Sequence, residues 1–205
     1  MAELSQLALI AGVLLLSVIS PGPNFALVSS TAMGVSRRAG VFTGLGFAAA
    51  SGTWASLAIA GVGVLSSHAP AVHMAIQLAG ALYLIWLGIK MLLGARQPLA
   101  ARSQAGATSS GAAIRKAYLV SMTNPKSIGF YGSIFSLMVP GTAPLWFYAT
   151  VVVLAALVSA GWYCSLALLF SLGSARAVYA KLKSVIESAL GLFLLALGGR
   201  VLLER

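Results

Sequence analysis

The sequence predicts an all-α polytopic membrane protein, and three observations carry that prediction. Hydrophobic residues make up 60% of the 205 and charged ones only 8%, with no aspartate at all, so a water-facing shell cannot be assembled. The apolar residues fall in long uninterrupted runs, and the mean hydropathy is +0.97, which suits helices of about 20 residues crossing a bilayer. The lysines and arginines concentrate in short segments between those runs. A net charge of +10 would point a soluble chain towards nucleic acid. Here its distribution follows the positive-inside rule instead, and no nucleic-acid partner is expected. A single membrane domain over 1–205 is predicted.

Six spans are expected. The first runs from Leu4 to Ile19, is interrupted at Ser20-Pro21-Gly22-Pro23-Asn24, and resumes as Phe25–Met33 before Arg37-Arg38. Met1 to Gln6 contain Glu3 and no lysine or arginine, so a cleaved signal peptide is not expected. The second span covers about Gly40 to Leu65. Its Gly40-x-x-x-Gly44 pair permits close helix approach, read here as packing inside one bundle. Gly44, Ser51, Thr53 and, in the fourth span, Tyr131 are candidate pathway-lining residues. Hydroxyls in such helices more often bond their own backbone.

A short uncharged loop, Ser66 to Pro70, leads to the third span, Ala71 to Leu93. His68 and His73 at its edge read as structural or interfacial. Residues 95–112, rich in Ala, Gly and Ser, form the expected linker between two repeat halves, 1–94 and 113–205. The fourth span, Ala117 to Val139, carries a second interruption, Thr123-Asn124-Pro125-Lys126, and ends at Pro140-Gly141. The fifth covers Leu145 to Leu172 and the sixth Val185 to Leu203, with Ser184 and Glu187 at capping-box spacing. The basic segments 34–40, 94–116 and 173–184 follow spans one, three and five, which places them in the cytoplasm and both termini outside.

The halves repeat. Gln77, Tyr83, Leu84, Leu87, Gly88, Lys90, Leu92 and Leu93 align at constant offset with Glu187, Phe193, Leu194, Leu197, Gly198, Arg200, Leu202 and Leu203; Pro23 aligns with Pro125. Three spans per half is an odd number, so the halves would enter the membrane from opposite faces as a 3+3 inverted-topology repeat.

Both interruptions read as the start of a half-helix, with Ser20 and Asn124 as N-caps and Pro21 and Pro125 in the first turn. Free amides and the positive helix end would then face the protein interior at mid-depth, where an anion is stabilised. Lys126 adds a cation, and an ionisable group at that depth is a functional hypothesis by default. The expected substrate site is Ser20, Pro21, Gly22, Pro23, Asn24, Thr123, Asn124, Pro125 and Lys126. It would hold a carboxylate, while freed carbonyls near Ile19 and Ser121 receive an ammonium group.

Ser20-Pro21-Gly22-Pro23-Asn24, Gly40-x-x-x-Gly44 and Asn124-Pro125-Lys126 together resemble the lysine-exporter (LysE) superfamily, and its homoserine/threonine efflux branch most closely. The resemblance spans essentially the whole chain. It implies a secondary transporter in the bacterial inner membrane that exports a small amino acid by proton exchange, often as a homodimer. Some members carry an acidic residue near the positions of Ser51 to Thr53, absent here, which favours a neutral substrate over a basic one. Export of basic amino acids or of another small solute is the alternative. No cofactor or metal is expected: Cys164 stands alone, and hard cations need clustered carboxylates. No paired catalytic constellation suggests an enzyme. A non-transporting assembly factor is the remaining competitor.

Overall fold

The computed structural model describes residues 2–68, 70–97, 109–170 and 173–203. They form eight α-helices and no strand: α1 (Ala2–Ile19), α2 (Pro23–Gly34), α3 (Arg37–His68), α4 (Pro70–Gly94), α5 (Ser110–Met122), α6 (Pro125–Met138), α7 (Leu145–Phe170) and α8 (Gly173–Leu203). Within α3, α4, α7 and α8 lie four stretches long and apolar enough to cross a membrane. The count rises to five if α1 and α2, bent by 60° at the Pro21–Pro23 break, make one span. Large apolar side chains such as Leu57, Leu82, Leu157 and Leu192 are more than half exposed, as a lipid-facing surface requires. The chain is a multi-pass helical membrane protein.

Helices α3 and α7 form one central pair and α4 and α8 another; α1 packs on α7, α5 on α3 and α6 on α4. Lipid tails are as apolar as leucine, so small residues that let backbones approach hold such pairs together. A Cβ at Gly44 would sit 2.9 Å from Cys164 Sγ and 3.0 Å from its backbone nitrogen, so this glycine is spent on the α3–α7 contact. Gly40 likewise faces Ala32 and Ala167, which places the G-x-x-x-G pair inside the bundle. Between α4 and α8, Gly88 and Gly191 abut each other's carbonyls and Gly198 abuts that of Ala81. Two buried clusters fill the rest, one around Ile10, Leu84, Phe130, Ile134 and Phe147, the other around Phe47, Tyr163 and Phe170.

Several expected boundaries move. The segment 173–184 is not a loop but the opening turns of α8, which runs unbroken to Leu203. Ser184 is therefore no N-cap, and Glu187 lies deep in the helix rather than at its start. Helix α5 begins at Ser110, so residues 110–112 of the expected linker are helical, as are Arg115 and Lys116 of the basic segment 94–116. Residues 98–108 of that linker, and the side chains of His68 and His73, lie outside the described residues.

Candidate functional site

Both proline interruptions are real breaks, and they touch. In the second, α5 ends at Met122 and α6 starts with Pro125 at its first position. The Asn124 side chain caps α6 by accepting from the Lys126 amide at 3.0 Å. In the first, the register differs from the sequence reading: Gly22, not Ser20, is the N-cap, and Pro23, not Pro21, opens the helix. A glycine has no side chain to cap with, so α2 begins without a side-chain cap whereas α6 is closed by its own asparagine. Across the breaks, Asn124 Nδ2 donates to Asn24 Oδ1 at 3.1 Å, and Asn24 Nδ2 donates to Ser121 Oγ at 3.2 Å. All three residues are buried.

The carbonyls that a broken helix leaves unpaired must find donors where water is scarce. Lys126 Nζ donates to Ser17 and Ser20 carbonyls, both at 3.3 Å, and so closes the end of α1. Tyr179 Oη donates to the Ile19 carbonyl at 2.9 Å, and Trp54 Nε1 to the Ser121 carbonyl at 3.3 Å. The carbonyls near Ile19 and Ser121, expected to await a substrate ammonium, are thus engaged by the protein's own side chains. Lys126 neither snorkels nor hangs free. It bridges α6 to the end of α1.

A cavity of about 890 Å³ opens onto the breaks. Ser20, Pro21, Gly22, Pro23, Asn124, Pro125 and Lys126 form its floor, and its walls come from α2, α4 and α8. It extends past Trp86 and Lys90 to Gly94 and Gln97. Lys90 stands 4.9 Å from the Trp86 ring centre, a cation–π contact. Asn24, Ser51 and Tyr131 line a second, much smaller cavity that also reaches Lys126, together with Ser121 and Tyr163. Tyr131 lies against Ser51 and Tyr163 against Asn24. Three expected residues sit elsewhere. Thr123 is exposed and bonds back to Leu119. Thr53 bonds back to Ala49 and receives Tyr118. Gly44 is buried in the α3–α7 contact.

Two charged residues that sequence reasoning set aside also line the large cavity. Lys183 and Glu187, one turn apart on α8, form an ion pair with side chains only 9% exposed, and Lys183 Nζ also donates to the Gly94 carbonyl at the end of α4 at 2.9 Å. A buried carboxylate is therefore present after all, on the last helix rather than the second span. The Lys-x-x-x-Glu spacing inside an apolar run was the signal for it.

Residues 15–205 match the family model for the LysE type translocator. The chain belongs to that family. Among relatives of this LysE-type chain, the threonine efflux protein of Escherichia coli (strain K12) is 31% identical over 96% of this chain and 97% of its own length. That of Salmonella typhi is 33% identical over the same shares. The leucine efflux protein of Enterobacter sp. (strain 638) is 35% identical over 58% of this chain and 56% of its own. No solved structure matches the chain. Its family is one of translocators rather than enzymes.

Proposed function

We propose that the protein is a secondary transporter that exports a small neutral amino acid, threonine- or homoserine-like, across the bacterial inner membrane by proton exchange. The observation that carries this reading is the meeting of two broken helices at the floor of one cavity, with Lys126 between them. Its 890 Å³ falls within the ~300–1,000 Å³ usual for small-ligand sites. The substrate carboxylate sits at the uncapped start of α2 beside Lys126, whose Nζ is within 4.0 Å of where a Gly22 Cβ would be. Helix α6 contributes less than the symmetric sequence reading assigned it, because Asn124 already caps it. The Ser29 hydroxyl, buried, without a partner among the described residues and lining the same cavity, supplies a further polar contact. The threonine and leucine efflux relatives support the substrate class.

The six-span inverted repeat fits this reading. The alignment that sets Gly88 against Gly198 sets Ala81 against Gly191, so the Gly88–Gly191 contact maps onto Gly198–Ala81, and both contacts occur. The halves differ at one place: α6 packs on α4, while α2 turns to α3 and leaves the large cavity between itself and α8. One gate is shut and its counterpart open. The open side reaches Gln97, next to the basic linker that positive-inside assigns to the cytoplasm, which suits loading for export. A homodimer with both termini outside completes the proposal.

Counterflow in proteoliposomes against a panel of amino acids tests it. Threonine and homoserine should exchange and lysine should not. Exchange of lysine alone, or of no amino acid, overturns it.

A further inference from the structure

We propose that Glu187 is the subsite for the substrate's ammonium group, paired with and held in place by Lys183 until the substrate arrives. The inference rests on the amino-acid transport proposed above and adds the group that reads the other end of the substrate. Glu187 is 7% exposed, in the apolar interior of α8, and lines the same large cavity as Lys126. A carboxylate at such a place is costly without a partner. Lys183 provides one, but to Oε2 only; among the described residues nothing donates to Oε1. Lys183 also has a second acceptor, the Gly94 carbonyl, so it can give up the carboxylate without being stranded.

The two ends of an α-amino acid are one carbon apart, so a site for it needs a cation and an anion facing one small volume. Lys126 and Glu187 line this same cavity. The other half of the chain supplies a contrast. Gln77 occupies the matching position on α4, is neutral, and is used up in a 2.6 Å bond from Nε2 to the Ser136 carbonyl of α6. On α8 the corresponding helix, α2, has moved away, and the residue turned towards the space is the one that carries charge.

The groups around Glu187 set the charge of the acceptable ligand. Lys90 from α4, Lys126 from α6 and Lys183 from α8 face the cavity, with Tyr83 and, beside Phe25 at its edge, Tyr179; α1 and α2 contribute no ionisable group there. Among the described residues, three cations outweigh one carboxylate. A zwitterion leaves that sum unchanged, whereas a dibasic amino acid adds to the excess. Glu187 therefore binds one ammonium and does not make the site a lysine site.

The experiment uses purified full-length protein and two probes, L-threonine and 2,3-dihydroxybutyrate, which replaces the ammonium by a hydroxyl. Wild type should bind and exchange threonine ~10–100-fold better, the range for a charge-assisted contact. Glu187→Gln should reduce that preference to within about threefold or invert it, by weakening threonine while the anionic hydroxy acid binds as well or better. Because Glu187→Gln removes one partner of a buried pair, the double variant Lys183→Met/Glu187→Gln, which removes both charges, is measured beside it and should lose the preference equally. Wild-type transport with the preference intact in both variants overturns the subsite and leaves the transport reading standing. Loss of pH-gradient coupling alone, with the preference retained, makes Glu187 a proton carrier and also overturns it. A wild type that moves neither probe nor any amino acid brings down both.

Discussion

Replacing Lys126 by methionine separates what this side chain does for the fold from what it does for a ligand. Its ammonium now serves the Ser17 and Ser20 carbonyls, each at 3.3 Å. Losing it leaves two acceptors short of donors, at ~1–3 kcal/mol each, or about 2–6 kcal/mol if neither relaxes. Against that, a cation at bilayer depth costs ~2.5–3.5 kcal/mol on insertion scales, and methionine removes that cost. The two terms are of similar size and opposite sign, so Lys126→Met should fold and insert with a melting temperature in detergent within a few degrees of wild type. No such cancellation protects transport. A charge-assisted contact to the substrate carboxylate is worth ~1.5–3 kcal/mol, so kcat/KM for threonine counterflow should fall by ~10–150-fold. Lys126→Arg, which keeps the charge on a different geometry, should fall between the two. Wild-type counterflow by a well-inserted Lys126→Met protein would refute the reasoning, and so would a variant that cannot be purified folded while Lys126→Arg is fully active.

Asn124→Ala removes both the α6 cap and the tie to Asn24; a lost cap alone costs ~1 kcal/mol, so stability in detergent should fall by at least that much, and Asn24→Ala/Asn124→Ala should lose less than the sum of the two single variants. Gly191→Ala pushes a methyl to 2.8 Å from the Gly88 carbonyl, which backbone cannot yield cheaply, and should cost ~1–3 kcal/mol. Gly161→Ala, with nothing within 4 Å, should be neutral in the same assay. Topology is checked in a Cys164→Ser background. Thr142→Cys in the turn between α6 and α7 should react with impermeant maleimide from outside the cell, and Ser36→Cys between α2 and α3 only after permeabilisation.

The breaks were legible because proline acts locally. Pro125 behind Asn124 can only open a helix, and Asn124 caps it as the sequence indicated. At the first break two prolines compete for that role, and the sequence offers no local reason to prefer Pro23. The alignment of Pro23 with Pro125 already pointed to the right one, and the cap reading of Ser20-Pro21 overrode it. What lay beyond reach was the fate of the freed carbonyls. Tyr179 and Trp54 come from helices far away in the chain, and a side chain reaching the Ile19 carbonyl from 160 positions on leaves no mark in a local pattern. Glu187 was misread for a related reason. Ser184 and Glu187 have the spacing of a cap, and only the continuity of α8 from Gly173 shows that no helix starts there. The Gly40–Gly44 pair was read correctly as a bundle contact, because a G-x-x-x-G stripe admits close packing whichever helix faces it; the pathway role also assigned to Gly44 was not, since Cys164 closes on it.

The claim that the substrate occupies the cavity above the joined breaks is met most directly by protection of a single cysteine. Ser29→Cys in the Cys164→Ser background places a small thiol on the wall of that cavity. L-Threonine should slow its modification by a methanethiosulfonate reagent, half-maximally at the concentration that half-saturates counterflow. A modification rate unaffected by saturating threonine, in protein that still exchanges threonine, would place the substrate elsewhere.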